Sequence, residues 1–183
     1  MADFHFIASP HVIPQTTNKS ENPEDERGWW FTYADDFNAK HSVDDCHKFE
    51  ETLQFITSTI QTTGPFDGML GFSQGAALVG LLCALKELGE INLDFKFAII
   101  ISGFKSKCSS HFKYYEQIIN VPSLHVFGST DNVIPEAMSE ELAEVFENPL
   151  VIKHSGGHYV PSNSELKKSY VEFLKNHMEN IPS

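Results

Sequence analysis

The run FKFAIII, residues 95 to 101, constrains this chain more than any other stretch. It is a nearly continuous apolar strand, and such a strand must be covered on both faces. That is the condition of a parallel sheet lying between helix layers. The flanking sequence fits. FHFIA, residues 4 to 8, is a short aromatic and β-branched strand candidate. Over 45–60, Phe49, Leu53, Ile56 and Ile60 fall at i, i+4, i+7 and i+11, one apolar stripe of a helix. Residues 67–72 read as a short strand and 74–88 as an Ala/Leu-rich helix stopping near Gly89. Strand 123–127, helix 136–146, strand 150–154 and an amphipathic helix over 164–177 complete the series. Strands alternating with helices imply βαβ units. The expected fold class is α/β, with a mostly parallel sheet and helices on both faces.

The 183 residues suffice for one domain with a substantial core, and one domain over 1–183 is expected. No apolar run approaches a membrane span, and MADFHFIASPHVIP lacks the basic and long apolar regions of a signal peptide. A formal net charge of −12 argues against nucleic acid and anionic membranes as main partners. Cys46, Cys83 and Cys108 are scattered, with no CxxC and no metal spacing. Free or buried thiols in a reducing, cytoplasmic compartment are the simplest reading, with no metal and no cofactor. The loop-like stretch 10–28, rich in Pro, Thr and Asn, is either functional or a solvated excursion.

A parallel sheet presents functional groups at the carboxyl ends of its strands. At one such end stands GFSQG, residues 71 to 75, between a strand and a helix. Gly-Xaa-Ser-Xaa-Gly in that context is the nucleophile elbow, in which a strained turn pushes the serine hydroxyl outward. Gly71 and Gly75 are expected to leave room where a Cβ would strike the neighbouring strand or helix. The plainer alternative is a glycine-rich turn whose serine caps the helix. A nucleophilic serine needs a base, and the base needs an orienting acid. In this fold they follow in the order Ser, Asp/Glu, His. SLHVFGSTDNVIP carries Asp131 just after a strand, although an Asx-turn alone would account for that residue. LVIKHSGGHYVP carries His158 after the last strand, on a loop that paired glycines let turn tightly. His154 competes but lies inside the strand, so His158 is favoured. His11, His41, His47, His111 and His177 have no matching context and are expected to be solvated. The backbone N–H of Gln74, at the helix N-terminus, is an oxyanion donor.

With GFSQGAAL, LHVFGSTDNVIP and HSGGHYVP, the chain resembles the FSH-type serine hydrolases, most of all the animal ovarian-cancer-associated-gene-two esterases. SPHVIP, RGWWF, GPFDGMLGFSQG and ISGF add to the match, which runs from about Phe4 to the last helix. The resemblance implies an α/β-hydrolase fold and hydrolysis of carboxylic esters, with a leaning toward fatty alkyl esters. By motif, Ser73 is the nucleophile, Asp131 the acid and His158 the base. The family begins with a strand, a His-Gly loop and a helix ahead of the segment matching FHFIASPHVIP. The resemblance therefore implies an N-terminally truncated domain lacking that first strand and helix. It also implies the loss of the second oxyanion donor, which the loop after the first strand supplies. Two unpaired strand edges, or a shifted FHFIA strand, are expected to follow.

Trp29, Trp30 and Phe31 either line an acyl pocket over Ser73 or anchor the long loop to the core. His11 is placed at the sheet's carboxyl rim, where a turn role is the alternative. The expected substrate is a small ester with an apolar acyl or alkyl chain. Two other readings stand beside it: an acyl thioesterase using the same triad, and a catalytically impaired fold that binds an acyl ligand or a partner.

Overall fold

The computed structural model describes residues 2–13, 26–33 and 38–178. In chain order the elements are β1 (His11–Val12), β2 (Arg27–Gly28), α1 (Phe49–Thr63), β3 (Gly68–Phe72), α2 (Gln74–Glu87) and β4 (Phe97–Ile101). A 3-10 segment (Ser109–Tyr115), β5 (Ser123–Gly128), α3 (Glu136–Ala143), β6 (Leu150–His154) and α4 (Ser164–Met178) follow. The last four strands form a parallel sheet in the order β3-β4-β5-β6.

Alternation along β4 explains how the helices are arranged. Ala98 and Ile100 join a core with Phe49 and Ile56 of α1, the apolar body of α2 and Leu142 of α3. Phe97, Ile99 and Ile101 join a second core on the opposite face, closed by Phe173 of α4. The continuous apolar run is therefore what two covered faces require. Helix α2 is buried along nearly its whole length, from Ala76 to Leu85, as a helix apolar on all sides must be. Each large apolar side chain so buried contributes about 1.5–3 kcal/mol. One row across the sheet, Leu70–Ile99–Leu124–Leu150, marks its limits. Its two central members are buried, whereas Leu70 and Leu150 on the edge strands are 47% and 45% exposed.

Several sequence expectations are corrected. FHFIA is not a strand; residues 4–8 are irregular, and Phe6 is 90% exposed. A strand needs a partner, and among the described residues none lies along the free edge of β3. Helix α1 starts at Phe49 rather than 45. His47 is engaged in an antiparallel bridge with Phe31, and Lys48 holds a left-handed φ of 71° that no helix can run through. Helix α3 stops at Ala143 because Val145 and Glu147 pair their backbones with Ile119. The ends of the 10–28 loop are zipped together, His11 opposite Gly28 and Val12 opposite Arg27. Residues 14–25 within it lie outside the described residues. His111, expected in solvent, is 3% exposed, and burial pushes its pKa down to about 4.

Candidate active site

Ser73 occupies the turn between β3 and α2 with φ 54° and ψ −120°, a conformation that costs of the order of 1–3 kcal/mol. Two features hold it there. Its N–H donates to the Ile101 carbonyl at the end of β4 (2.9 Å). The start of α2 also presses directly onto β3: a Cβ on Gly71 would lie 2.3 Å from the Gly75 carbonyl oxygen. Gly71 is thus required by close backbone approach. Gly75 is not, contrary to expectation, since a Cβ there would meet only the Trp29 indole nitrogen, at 3.4 Å. The Ser73 hydroxyl does not cap α2. It lies 3.0 Å from Nε2 of His158.

Asp131 and His158 meet because the loops after β5 and β6 cross in contact. The Ser129 N–H donates to the His154 carbonyl (2.8 Å), and the Thr130 N–H donates to the Gly156 carbonyl (3.2 Å). A Cβ on Gly128 would sit 2.1 Å from that same Gly156 oxygen. Asp131 then divides its carboxylate. Oδ1 accepts the N–H groups of Val133 (2.9 Å) and Ile134 (2.8 Å), an Asx-turn. Oδ2 accepts His158 Nδ1–H at 2.7 Å. One oxygen thus makes the Asx-turn and the other meets the imidazole. His154 does not reach Ser73; its Nδ1 accepts the Gly156 N–H (3.1 Å), and its ring packs at a tilt against Tyr159.

The Asp131 side chain is fully buried, while that of His158 keeps 18% of its surface. Burial by itself raises the Asp131 pKa, but hydrogen bonds from His158, Ile134 and Val133 outweigh it and hold the carboxyl below its ordinary value. The acid is therefore an anion against Nδ1. With a proton fixed on Nδ1, Nε2 offers its lone pair to the serine hydroxyl. The His158 ring also rests on Phe72, centroids 4.7 Å apart.

Gln74 does more than the sequence suggested. Its backbone N–H is among those a helix N-terminus leaves without intrahelical partners. Its side chain clamps the aromatic segment: Oε1 accepts the Trp29 N–H (2.9 Å), and Nε2 donates to the Trp30 carbonyl (2.7 Å). Thr52, buried on α1, donates its hydroxyl to the Trp29 carbonyl and accepts from His11 Nε2 at 3.1 Å. No spacing in the sequence signals these ties. Trp29 is half-buried against Gly75, beside the start of α2. Trp30 is 1% exposed, its ring edge-on to Phe49, and Phe31 is buried with His11 against its ring. Of the four aromatic and rim candidates, Trp29 sits next to the Ser73 turn, Trp30 belongs to the core, and Phe31 and His11 pack on each other, the Phe31 ring against Gly28. Among the described residues, the one group of side chains close enough to share a metal ion is Cys46, Cys108 and His111, none of them at this site.

Comparison with known proteins places the chain in a family and a fold. A family model described as Serine hydrolase (FSH1) matches residues 1–170. The chain is 46% identical to Esterase OVCA2 of Xenopus tropicalis over 171 residues, which is 92% of this chain and 74% of that protein. It is 44% identical to Esterase OVCA2 of Danio rerio, over 93% of this chain and 82% of that one. Among solved structures, acyl-protein thioesterase 2 of Zea mays superposes with a TM-score of 0.59 at 18% identity, over 82% of this chain and 72% of that one. Est1E of Butyrivibrio proteoclasticus gives 0.56 at 16% identity, over 73% and 71%. These two likenesses establish the α/β-hydrolase fold.

Proposed function

Because the chain belongs to the Serine hydrolase (FSH1) family and is a carboxylic ester hydrolase, we propose that Ser73, His158 and Asp131 are its catalytic triad, acting on esters with long apolar alkyl or acyl chains. The observation that carries this reading is the pair of contacts on one imidazole: 3.0 Å from Nε2 to Ser73 Oγ and 2.7 Å from Nδ1 to Asp131 Oδ2.

His158 Nε2 takes the hydroxyl proton as Ser73 Oγ attacks the ester carbonyl. The new oxyanion meets the Gln74 N–H and the positive end of α2. Asp131 stabilises the imidazolium, which passes its proton to the departing alcohol. The acyl group now rests on Ser73. A water deprotonated by the same Nε2 attacks the acyl-enzyme, the carboxylic acid leaves, and Ser73 recovers its proton. Phe72 rests on the His158 ring and the half-buried Trp29 lies beside Gly75, which supports an apolar chain as the group held there.

A fluorophosphonate probe tests the nucleophile: the adduct is expected on Ser73, and labelling that persists in Ser73→Ala would discard the assignment. A series of p-nitrophenyl esters from acetate to palmitate tests the chain. kcat/KM is expected to rise with length, and a steady fall from acetate onward would reject the fatty-ester reading.

A further inference from the structure

Away from Ser73, a second group of reactive side chains converges without any part in ester hydrolysis. Cys46, Cys108 and His111 each bring one ligand atom to within 4.8 Å of the other two. Cys108 and His111 share a C-x2-H spacing at the start of the 3-10 segment, and Cys46 comes from the turn just ahead of α1. The backbone laces these two segments together. Val43 bridges Cys108, the Ser109 N–H donates to the Val43 carbonyl (2.8 Å), and the Ser110 N–H donates to the Asp44 carbonyl (3.2 Å). The convergence is therefore built by main chain and does not depend on side-chain rotamers alone.

The chemistry of the set is specific. Two thiols and an imidazole are the donors that thiophilic divalent cations select, above all zinc. Zinc holds sulfur at about 2.3 Å and nitrogen at about 2.0–2.1 Å, so a tetrahedral site needs donor–donor edges of roughly 3.5–3.8 Å. The Cys46 Sγ lies 3.8 Å from Nε2 of His111, close to such an edge, and 3.9 Å from Nδ1, so rotation of the half-buried Cys46 side chain must carry the sulfur toward the Nε2 lone pair as the ion binds. The imidazole is also tethered as a metal-bound histidine is. Nδ1 is 2.9 Å from the hydroxyl oxygen of Ser106, which accepts the Cys108 N–H as well (3.3 Å). Nδ1–H donation to Ser106 fixes the tautomer and frees Nε2 as a ligand. Cys108 and His111 are buried, whereas Cys46 is half-buried and leaves the cluster open on one side. Asp45 stands at that side, its Oδ1 accepting the Cys46 N–H (2.9 Å) and the Ser110 hydroxyl (3.4 Å). A water entering from that side would complete four-coordination.

We propose that Cys46, Cys108 and His111 form a zinc-binding site that pins the approach to α1 against the 3-10 segment. A Cys46–Cys108 disulfide is the competing chemistry, but it gives no role to His111 or to the serine that orients it.

The test uses the full chain, reduced and stripped with chelator, then titrated with Co(II) alone. The expected result is a near-ultraviolet thiolate-to-cobalt charge-transfer band with visible bands of tetrahedral cobalt, saturating at one equivalent and bleached by zinc. Cys46→Ser, at a half-exposed position that tolerates replacement, is expected to lose the bands, while Cys83→Ala keeps them. Ser106→Ala is expected to weaken binding about 10–100-fold. Zinc should raise Tm in the wild type and not in Cys46→Ser. Absence of the charge-transfer band, or bands that survive in Cys46→Ser, would overturn the proposal. So would a Cys46–Cys108 disulfide in protein whose reduced form takes up no cobalt.

Discussion

The carboxyl edge of the sheet and the interior of the molecule both hold a serine hydroxyl against a histidine ring. At the edge, Ser73 is 3.0 Å from His158. Inside, Ser106 is 2.9 Å from His111 and Ser123 is 3.1 Å from His125. Distance does not separate them; surroundings do. His158 has a buried carboxylate on its far nitrogen, and it faces a serine that a strained turn holds outward. The two interior rings are desolvated, with pKa values pushed down to about 4 for His111 and about 3 for His125. Such a desolvated ring is a weak acceptor for a serine proton. A Ser–His contact becomes a catalytic pair only with an acid behind the ring and room in front of the hydroxyl.

The largest effect expected from breaking this contrast is at the serine itself. Ser73→Ala should lower kcat by about 10⁶, and peptide mapping after fluorophosphonate treatment of the wild type should find the adduct on Ser73 and none on Ser106 or Ser123. Next comes the acid. Asp131→Asn keeps an oxygen for the Val133 and Ile134 amides but presents an N–H to His158, which reverses the tautomer. kcat should fall by about 10⁴ with the melting temperature little changed, and steady-state kinetics beside a thermal melt would check both halves. A drop in stability as large as the drop in rate would instead make Asp131 a loop brace.

The turn offers a finer test. Gly71→Ala drives a Cβ into backbone and should cost roughly 3 kcal/mol or more of stability. Gly75→Ala, which meets only the Trp29 indole, should stay within about 1 kcal/mol of wild type. Urea unfolding of the two variants distinguishes a motif glycine needed for space from one that is not. The smallest effect concerns the interior pair on β5. Unfolded, His125 titrates near 6.5, whereas folded it stays neutral down to about 3. Its contribution to stability is therefore complete above pH 6.5 and is lost as pH falls toward 3. Between pH 7 and 5 the loss from this residue is about 2 kcal/mol. The urea midpoint should accordingly fall less over that interval in His125→Gln than in wild type.

The parts of the site that the sequence disclosed are those fixed by strand ends. Ser73, Asp131 and His158 each follow their own strand, so alternation of elements, chain order and the GFSQG motif single them out as candidates. Contacts between residues far apart in sequence were not legible. Nothing near Gln74 announces that its side chain grips Trp29 and Trp30, and Cys46 gives no hint of meeting a C-x2-H pair on another segment. FHFIA failed for a related reason. Its residues suit a strand, but strand formation depends on a neighbour that local composition does not report. Helix α1 begins with its apolar stripe at Phe49 and not at 45, because the antiparallel bridge from His47 to Phe31 holds the preceding residues extended.

The sheet's connectivity also has a kinetic consequence. Gly68 pairs with Phe97, Ala98 with Ser123 and Leu124 with Leu150. Each pairing encloses roughly 25–30 residues, so no part of this sheet can begin as a hairpin, and loop-closure entropy is spent before any strand contact forms. Ser73, Asp131 and His158 stand at the far ends of these closures. The proposed triad should therefore assemble late, after α2 has docked, and refolding assayed by recovery of esterase activity should lag behind the return of helical circular dichroism.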